Sequence, residues 1–179
     1  MTSLRLIAKP EPGEYPAYTE MYMSFLPDDG KVLQLLQSKF YTINNFIYVL
    51  PGHRLLHQYT PGKWSIKETL VHIIDKERIF SYRALNFARN EQQNLTGFDQ
   101  NAYTSYSDAA NRKLDNIFEE YEAVRKATIA LFNGLPKAAF LRMGKGTGTF
   151  NNATVRALAY HIVDHELHYF NLIKKLYLS

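Results

Sequence analysis

The chain has 179 residues, contains no cysteine and carries a formal net charge of +4. Its length suits one domain, which we predict to span residues 1–179. Because 46% of the residues are hydrophobic and 14% are aromatic, the chain can bury a full core, and disorder of the whole chain is excluded. The absence of cysteine excludes disulfides, thiolate metal sites and cysteine nucleophiles.

The N-terminal stretch MTSLRLIAKPEPGEYP has no long apolar segment, so we expect neither a signal peptide nor a membrane anchor there. No uncharged run of about 18 apolar residues occurs elsewhere, and we therefore expect a soluble, cytoplasmic protein without a membrane partner.

Charged residues of both signs alternate along residues 63–89, which is typical of a solvated, ion-paired helix face. A nucleic-acid partner would favour clustered cations, so we expect none. The residues concerned are Lys63, Lys67, Lys76, Arg78, Arg83 and Arg89 with Glu68, Asp75 and Glu77.

The first 26 residues are predicted to form an extended arm, because prolines and a glycine interrupt residues 10–16. The tyrosines and methionines of AYTEMYMSFLP predict that part of this arm packs back onto the body. A first helix is expected from near Asp28 and Asp29 to about Leu50, since apolar residues recur there at steps of three and four.

The second helix has the clearest start signal, a capping box formed by Ser65 and Glu68, and is expected to run to about Asn90. Residues 90–107 form a long polar and aromatic loop, and loops of this length in compact domains are often functional.

A third helix is predicted from near Asp108 to Asn133 and Gly134, and a fourth from near Asn152 to about Tyr177. The glycine-rich segment MGKGTGTFNN between them is expected to be a flexible connector, and no strand is predicted. The chain is therefore predicted to be all-α, a four-helix bundle with an extended N-terminal arm and long connecting loops.

The fourth helix carries histidines on the side that faces the core. At about 100° per residue, His165 and Tyr169 point inward, whereas His161 and His168 lie at the edge of the apolar face. An unpaired buried imidazole costs on the order of 1–3 kcal/mol, so His165 needs a hydrogen-bond partner or a metal. His161 and His165 have the four-residue spacing by which one helix offers two nitrogens to one metal, and His168 can also converge with His165.

The second helix contributes His72, and Asp75 lies three residues further on the same face. Asp75 could orient the His72 ring, or it could pair with Arg78 or Lys76. If the second and fourth helices are neighbours, three imidazoles could meet and bind Zn²⁺, Ni²⁺ or Fe²⁺. The remaining histidines, His53 and His57, are expected on the surface.

At these residues the sequence resembles the DinB-like superfamily of metal-dependent enzymes, from about residue 14 onward. The resemblance implies a four-helix bundle, often a homodimer, with one metal-binding histidine on the second helix and two on the fourth. It also implies a small-molecule substrate, as for relatives that are thiol-dependent transferases and isomerases. The motifs that carry it are EYPAYTEMYM, FLPDDG, YTPGKWSIKETLVHIIDKERIFSYRALNFAR, GFDQNAY and VRALAYHIVDHELHYFNLI.

Carried over residue by residue, the resemblance assigns His72 and His165 as metal ligands. This chain has Tyr169 where the third ligand is expected, and Asp164 where a glycine usually precedes the central histidine. Either His161 is the third ligand, or Tyr169 coordinates weakly, or the site is metal-free. The corresponding functions are a metal-dependent hydrolase or thiol-dependent transferase, or alternatively a metal-free bundle that binds a small ligand or a partner. No organic cofactor is expected.

Overall fold

The computed structural model describes residues 3–91, 94–147 and 152–176. Within these ranges the chain forms seven α-helices, two short strands and two 3-10 turns at Ala17–Thr19 and Lys137–Leu141. In chain order the helices and strands are α1 (Glu20–Met23), α2 (Val32–Tyr48), α3 (Gly52–Leu55), α4 (Ile66–Ala88), α5 (Gln100–Ser105), α6 (Leu114–Gly134), β1 (Met143–Lys145), β2 (Asn152–Thr154) and α7 (Val155–Leu176).

The four long helices α2, α4, α6 and α7 form the expected bundle, which confirms the all-α prediction. Helices α4 and α2 each pack against both α6 and α7, and the most extensive packing is between α4 and α7. Apolar side chains from all four helices fill the interior. None of the helices in the described residues is both long and apolar enough to cross a membrane.

Two of the long helices begin later than the sequence pattern predicts, and the backbone explains why. Gly30 and Asp108 have positive φ angles of 72° and 52°, which a right-handed helix does not accommodate. Helix α2 therefore starts after Gly30, at Val32, whereas a turn and the extended Lys113 (ψ 144°) follow Asp108, so that α6 starts at Leu114. Helix α4 starts where predicted, because Ser65 accepts a hydrogen bond from the backbone N–H of Glu68 and the Glu68 carboxylate accepts one from that of Ser65.

The N-terminal arm is extended only in its first part. Residues 17–23 are helical, so the prediction of an extended arm to residue 26 is wrong there; no proline lies between Pro16 and Pro27 to prevent helix formation. As expected, the second part packs back, with Met23 and Leu26 buried. The Tyr160 hydroxyl donates a 2.9 Å hydrogen bond to the Ile7 carbonyl, which fastens the arm to α7.

The connecting segments contain more regular structure than predicted. The loop at residues 90–107 includes α5, whose N-terminus is capped by the Asp99 side chain. The strands β1 and β2 pair antiparallel, so the expectation of no strand is also wrong. Each strand has three residues, which is too short to show an alternating pattern. Part of the glycine-rich connector, residues 148–151, lies outside the described residues.

Candidate metal centre

The bundle brings His72 of α4 and His165 of α7 together, although 93 residues separate them. Their Nε2 atoms lie 3.2 Å apart, and their ring centroids are 5.1 Å apart. His72 is almost fully buried, whereas His165 is partly buried and lines a cavity. This juxtaposition arises because α4 and α7 pack against each other along their lengths.

Both imidazoles are held in the neutral form. Burial, together with a smaller effect of the nearby Lys76 ammonium, lowers the pKa of His72 to about 3. Burial also lowers the pKa of His165 well below its ordinary value, with a smaller contribution from His72. Neutral imidazole is the form that binds metals, since the ring nitrogen must offer a lone pair.

Aromatic rings surround the pair on the side of the α4 N-terminus. The Trp64 ring centroid lies 4.6 Å from that of His72, and the Tyr169 centroid lies 4.9 Å from His72 and 4.8 Å from His165. Tyr169 lines two cavities. One is a cleft of about 530 Å³ that Trp64 and Tyr59 also line, and the other is a cavity of about 160 Å³ lined by His165 and His161.

His161 is nearby but is oriented by a different partner. Its Nδ1 lies 2.8 Å from Oδ1 of Asp164, and its ring centroid is 6.1 Å from that of His165. The expectation that His161 lies at the edge of the core is wrong, because only 7% of the residue is exposed. Burial raises the pKa of Asp164, and His161 partly offsets this effect.

The remaining sequence-predicted residues do not join the pair. His168 is exposed and lies edge-on against Tyr22. Asp75 pairs with Arg78 at 3.7 Å rather than with His72. Across residues 3–91, 94–147 and 152–176, no group of three histidine, aspartate or glutamate side chains is arranged to hold a metal ion. The structure therefore assembles two of the three expected ligands.

Sequence comparison covers the part of the chain that contains this site. The family model of the DinB superfamily matches residues 43–173, from within α2 to near the end of α7. The chain belongs to the DinB superfamily. The match includes His72, His161, His165 and Tyr169, and it confirms the resemblance drawn from the motifs.

The fold of this DinB-superfamily chain is similar to that of YfiT from Bacillus subtilis, which is described as a probable metal-dependent hydrolase with an unusual four-helix bundle topology. The TM-score is 0.69, and the similarity covers 83% of this chain and 87% of that one at 17% sequence identity. At this identity the likeness establishes the fold alone. No functionally curated protein matches the chain in sequence.

Lys76 is a site residue that sequence reasoning missed. The alternating charges of α4 predicted a solvated side chain, but Lys76 is partly buried and lines the 160 Å³ cavity together with His165. Burial, together with a smaller effect of the charge of Arg83, lowers the pKa of Lys76 to about 8. One signal was present in the sequence, because Lys76 follows His72 by four residues and so shares its helix face.

A second polar cluster, which we call the arginine cluster, consists of Tyr121, Arg125, Glu77 and Glu166. Arg125 of α6 donates hydrogen bonds to Glu77 of α4 at 2.9 Å and to Glu166 of α7 at 2.7 Å, and all are buried. Glu77 was predicted to be solvated, which is wrong. The signal for Arg125 was its position four residues after Tyr121, on the inner stripe of α6.

Proposed function

We propose that this DinB-superfamily chain is a metal-dependent enzyme that acts on a small molecule, with His72 and His165 as metal ligands. The observation that carries the proposal is the 3.2 Å separation of the two Nε2 atoms. Two nitrogens that each lie about 2.0–2.1 Å from a tetrahedral ion are about 3.3 Å apart. The two lone pairs thus have the spacing that one ion requires, and both rings are neutral as metal binding demands.

The donor set suits a borderline divalent ion such as Zn²⁺, Ni²⁺ or Fe²⁺, since imidazole nitrogens favour these metals. When bound, such an ion supplies Lewis acidity that polarises a substrate carbonyl and activates water or a thiol. The third position is open to His161, to Tyr169 or to solvent. Trp64 and Tyr169 cover the His72 side of the pair and limit the access of bulk water to it.

The reaction class that fits these features is hydrolysis or thiol-dependent transfer. YfiT, whose fold is similar, is described as a probable metal-dependent hydrolase. The cleft of about 530 Å³ next to Tyr169 is in the size range of small-molecule sites, and it has side chains of both polar and apolar character. We propose that the substrate occupies this cleft and presents its reacting group towards the histidine pair.

The proposal is tested by measuring metal binding directly. Protein purified without an affinity tag would be stripped with chelator and titrated with Ni²⁺, Zn²⁺ or Fe²⁺ by calorimetry. We expect one ion per chain, with the affinity reduced at least about 100-fold in His72→Ala and His165→Ala. His57→Ala is the matched control, because His57 is exposed and lies outside the site. Equal affinity in all three variants would contradict the proposal.

A metal-free ligand-binding bundle is the second candidate. The same 3.2 Å distance also fits one hydrogen bond between the two imidazoles, in which one ring donates its Nε2–H and the other accepts. Nδ1 of His161 likewise lies 2.8 Å from Oδ1 of Asp164, a contact that needs no metal. This candidate predicts no metal binding in the titration and a slowly exchanging imidazole proton in the NMR spectrum, which His72→Ala would remove.

A further inference from the structure

The cavity of about 160 Å³ lies on α4 and α7, beside His165 and on the far side of Tyr169 from the larger cleft. Its volume corresponds to that of about five water molecules in the liquid, which is room for a small polar group and a short stem. Of its lining side chains, Lys76 carries a formal positive charge and projects from the same face of α4 as His72.

Lys76 is held in place by aromatic rings rather than by a counter-ion. Its Nζ lies 5.1 Å from the centroid of Phe80 and 4.8 Å from that of Phe98, in cation–π contact with both. In the part of the chain that the structure describes, no carboxylate oxygen lies within 4.0 Å of this Nζ. The aromatic faces stabilise the charge, but they leave the three N–H donors of the ammonium available.

Neighbouring cations of α4, unlike Lys76, have carboxylate or carbonyl partners among the described residues. Arg78 pairs with Glu120, and Arg83 donates to the carbonyls of Thr96 and Thr147 at 3.3 Å. Lys67 donates to the carbonyl of Ala110 at 3.0 Å. The partly buried Lys76 is thus positioned to interact with something that the described protein does not itself supply.

The other polar groups of the cavity are compatible with an anion. Gln100 and Tyr22 bring an amide and a hydroxyl that can donate hydrogen bonds, and His165 is neutral. Asp164 is the one carboxylate that also lines the cavity; its Oδ1 lies 2.8 Å from Nδ1 of His161, and its buried Oδ2 has no hydrogen-bond partner among the described residues, so it can only accept from a ligand. One point charge with a few neutral donors matches a monoanionic group better than a dianionic phosphate, which proteins usually meet with several cations or a helix N-terminus.

We propose that this cavity binds the carboxylate group of a small-molecule ligand and that Lys76 is its cationic partner. The ligand would then extend past Tyr169 towards the histidine pair. The inference rests on the proposed function only in identifying the ligand as the substrate. Binding of the carboxylate itself requires only the metal-free protein.

The experiment uses ¹⁵N-labelled, chelator-treated full-length protein, titrated at constant ionic strength with propionate and with its neutral isostere propionamide. We expect saturable shifts of the Gln100 and His161 amide signals with propionate and none with propionamide. Lys76→Met keeps the aliphatic stem and removes the charge, and it should raise the Kd at least about tenfold. Lys76→Arg keeps the charge and should retain saturable binding. This variant still tests the inference if Lys76→Met folds poorly.

Lys126→Met is the matched control, because it makes the same change in net charge at a side chain that is 70% exposed on α6. It should leave the propionate Kd unchanged. The inference is overturned if wild-type protein shows no saturable shift up to about 100 mM propionate, if Lys76→Met binds as tightly as wild type, or if inorganic phosphate binds more tightly than propionate.

The result is separable from that of the metal titration. Lys76-dependent propionate binding without any metal affinity would remove the proposed enzyme function and support this cavity as a carboxylate site. Metal affinity that depends on His72 and His165, without propionate binding, would remove this inference alone.

Discussion

Two polar clusters lie inside the bundle, and both include side chains of α4 and α7, but their buried polar groups are compensated in different ways. In the arginine cluster, Arg125 is paired with Glu77 and Glu166 and also donates to the backbone carbonyl of Leu36. In the histidine pair, His72 and His165 are uncharged and their Nε2 atoms face each other at 3.2 Å. One cluster contains paired opposite charges, and the side chains of the other are uncharged.

The pKa shifts of the two clusters differ accordingly. Although burial alone would lower the pKa of Arg125, Glu166 and Glu77 raise it well above its ordinary value. Burial instead lowers the pKa of both histidines. A buried cluster whose charged groups are paired with one another holds helices together, whereas two facing ring nitrogens need either a shared proton or a shared cation. The comparison therefore supports a structural role for the arginine cluster, and it agrees with the metal-binding role that we propose for the histidine pair.

The largest effect should come from breaking the arginine cluster. Arg125→Met leaves the Glu77 and Glu166 carboxyls buried without their cation, and we expect the free energy of unfolding to fall by about 3–5 kcal/mol. Urea denaturation at pH 7 measures this. Lys126→Met, which removes an exposed ion pair with Glu122, should cost less than about 1 kcal/mol. Equal losses in the two variants would mean that the buried carboxyls do not need Arg125.

Added metal should stabilise the folded protein only by binding to the histidine pair. At a free Ni²⁺ or Zn²⁺ concentration of 100 times the Kd, the wild-type protein should gain about 2.7 kcal/mol of stability, because the ion binds only the folded state. Thermal denaturation with and without chelator measures the gain. His165→Ala should abolish it, while Lys126→Met should retain it. A chelator-independent melting temperature in the wild type would favour the metal-free alternative.

Lowering the pH should destabilise the metal-free protein through the same histidines. The pKa of His72 is about 3 in the folded chain and about 6.5 in the unfolded chain, so the unfolded state binds more protons between these values. Stability is then lost as the pH falls below about 6.5, by about 2 kcal/mol for His72 between pH 7 and pH 5.

Several carboxyls with raised pKa values, Asp75, Asp164 and Glu166, contribute with the opposite sign. The measured quantity is therefore the change in the free energy of unfolding with pH. It is compared between the wild type and His72→Asn by urea denaturation at pH 5, 6 and 7. The same pH dependence of the unfolding free energy in both proteins would show that His72 is not held neutral by burial.

The smallest effect concerns Tyr169, which occupies the expected third-ligand position. Tyr169→His should increase the affinity for Ni²⁺ at least about tenfold, because it adds an imidazole whose backbone is already placed beside His72 and His165. Tyr169→Phe keeps the ring contacts and should leave the affinity within about threefold of the wild type. Calorimetry measures both, and a large loss in Tyr169→Phe would instead identify the hydroxyl as a ligand.

Much of the fold was predictable because its signals are local. The capping box at Ser65 and Glu68 predicted the start of α4, and the spacing of apolar residues predicted all four long helices. The helix ends were less predictable, since the positive φ angles at Gly30 and Asp108 depend on the turns in which these residues lie. The short strands and α5 also depend on tertiary contacts rather than on a repeating pattern.

The candidate site was predictable in part for the same reason. The period of α7 correctly placed His165 and Tyr169 towards α4, where both contact His72. It placed His161 at the edge, but His161 is buried against Phe80. Lys76 and Glu77 are adjacent in the sequence and were both expected in solvent, yet one lines a cavity and the other is fully buried.

By itself, the sequence determined which segments are helical, which face of each helix is apolar and which imidazole points inward, because these properties repeat every 3.6 residues along one chain segment. Only the tertiary structure decided that two nitrogens 93 residues apart lie at 3.2 Å, that Arg125 meets carboxylates from two other helices and that Lys76 contacts two aromatic rings instead of an acid. Such distances depend on how the helices are rotated and aligned against one another, and no single segment encodes that arrangement.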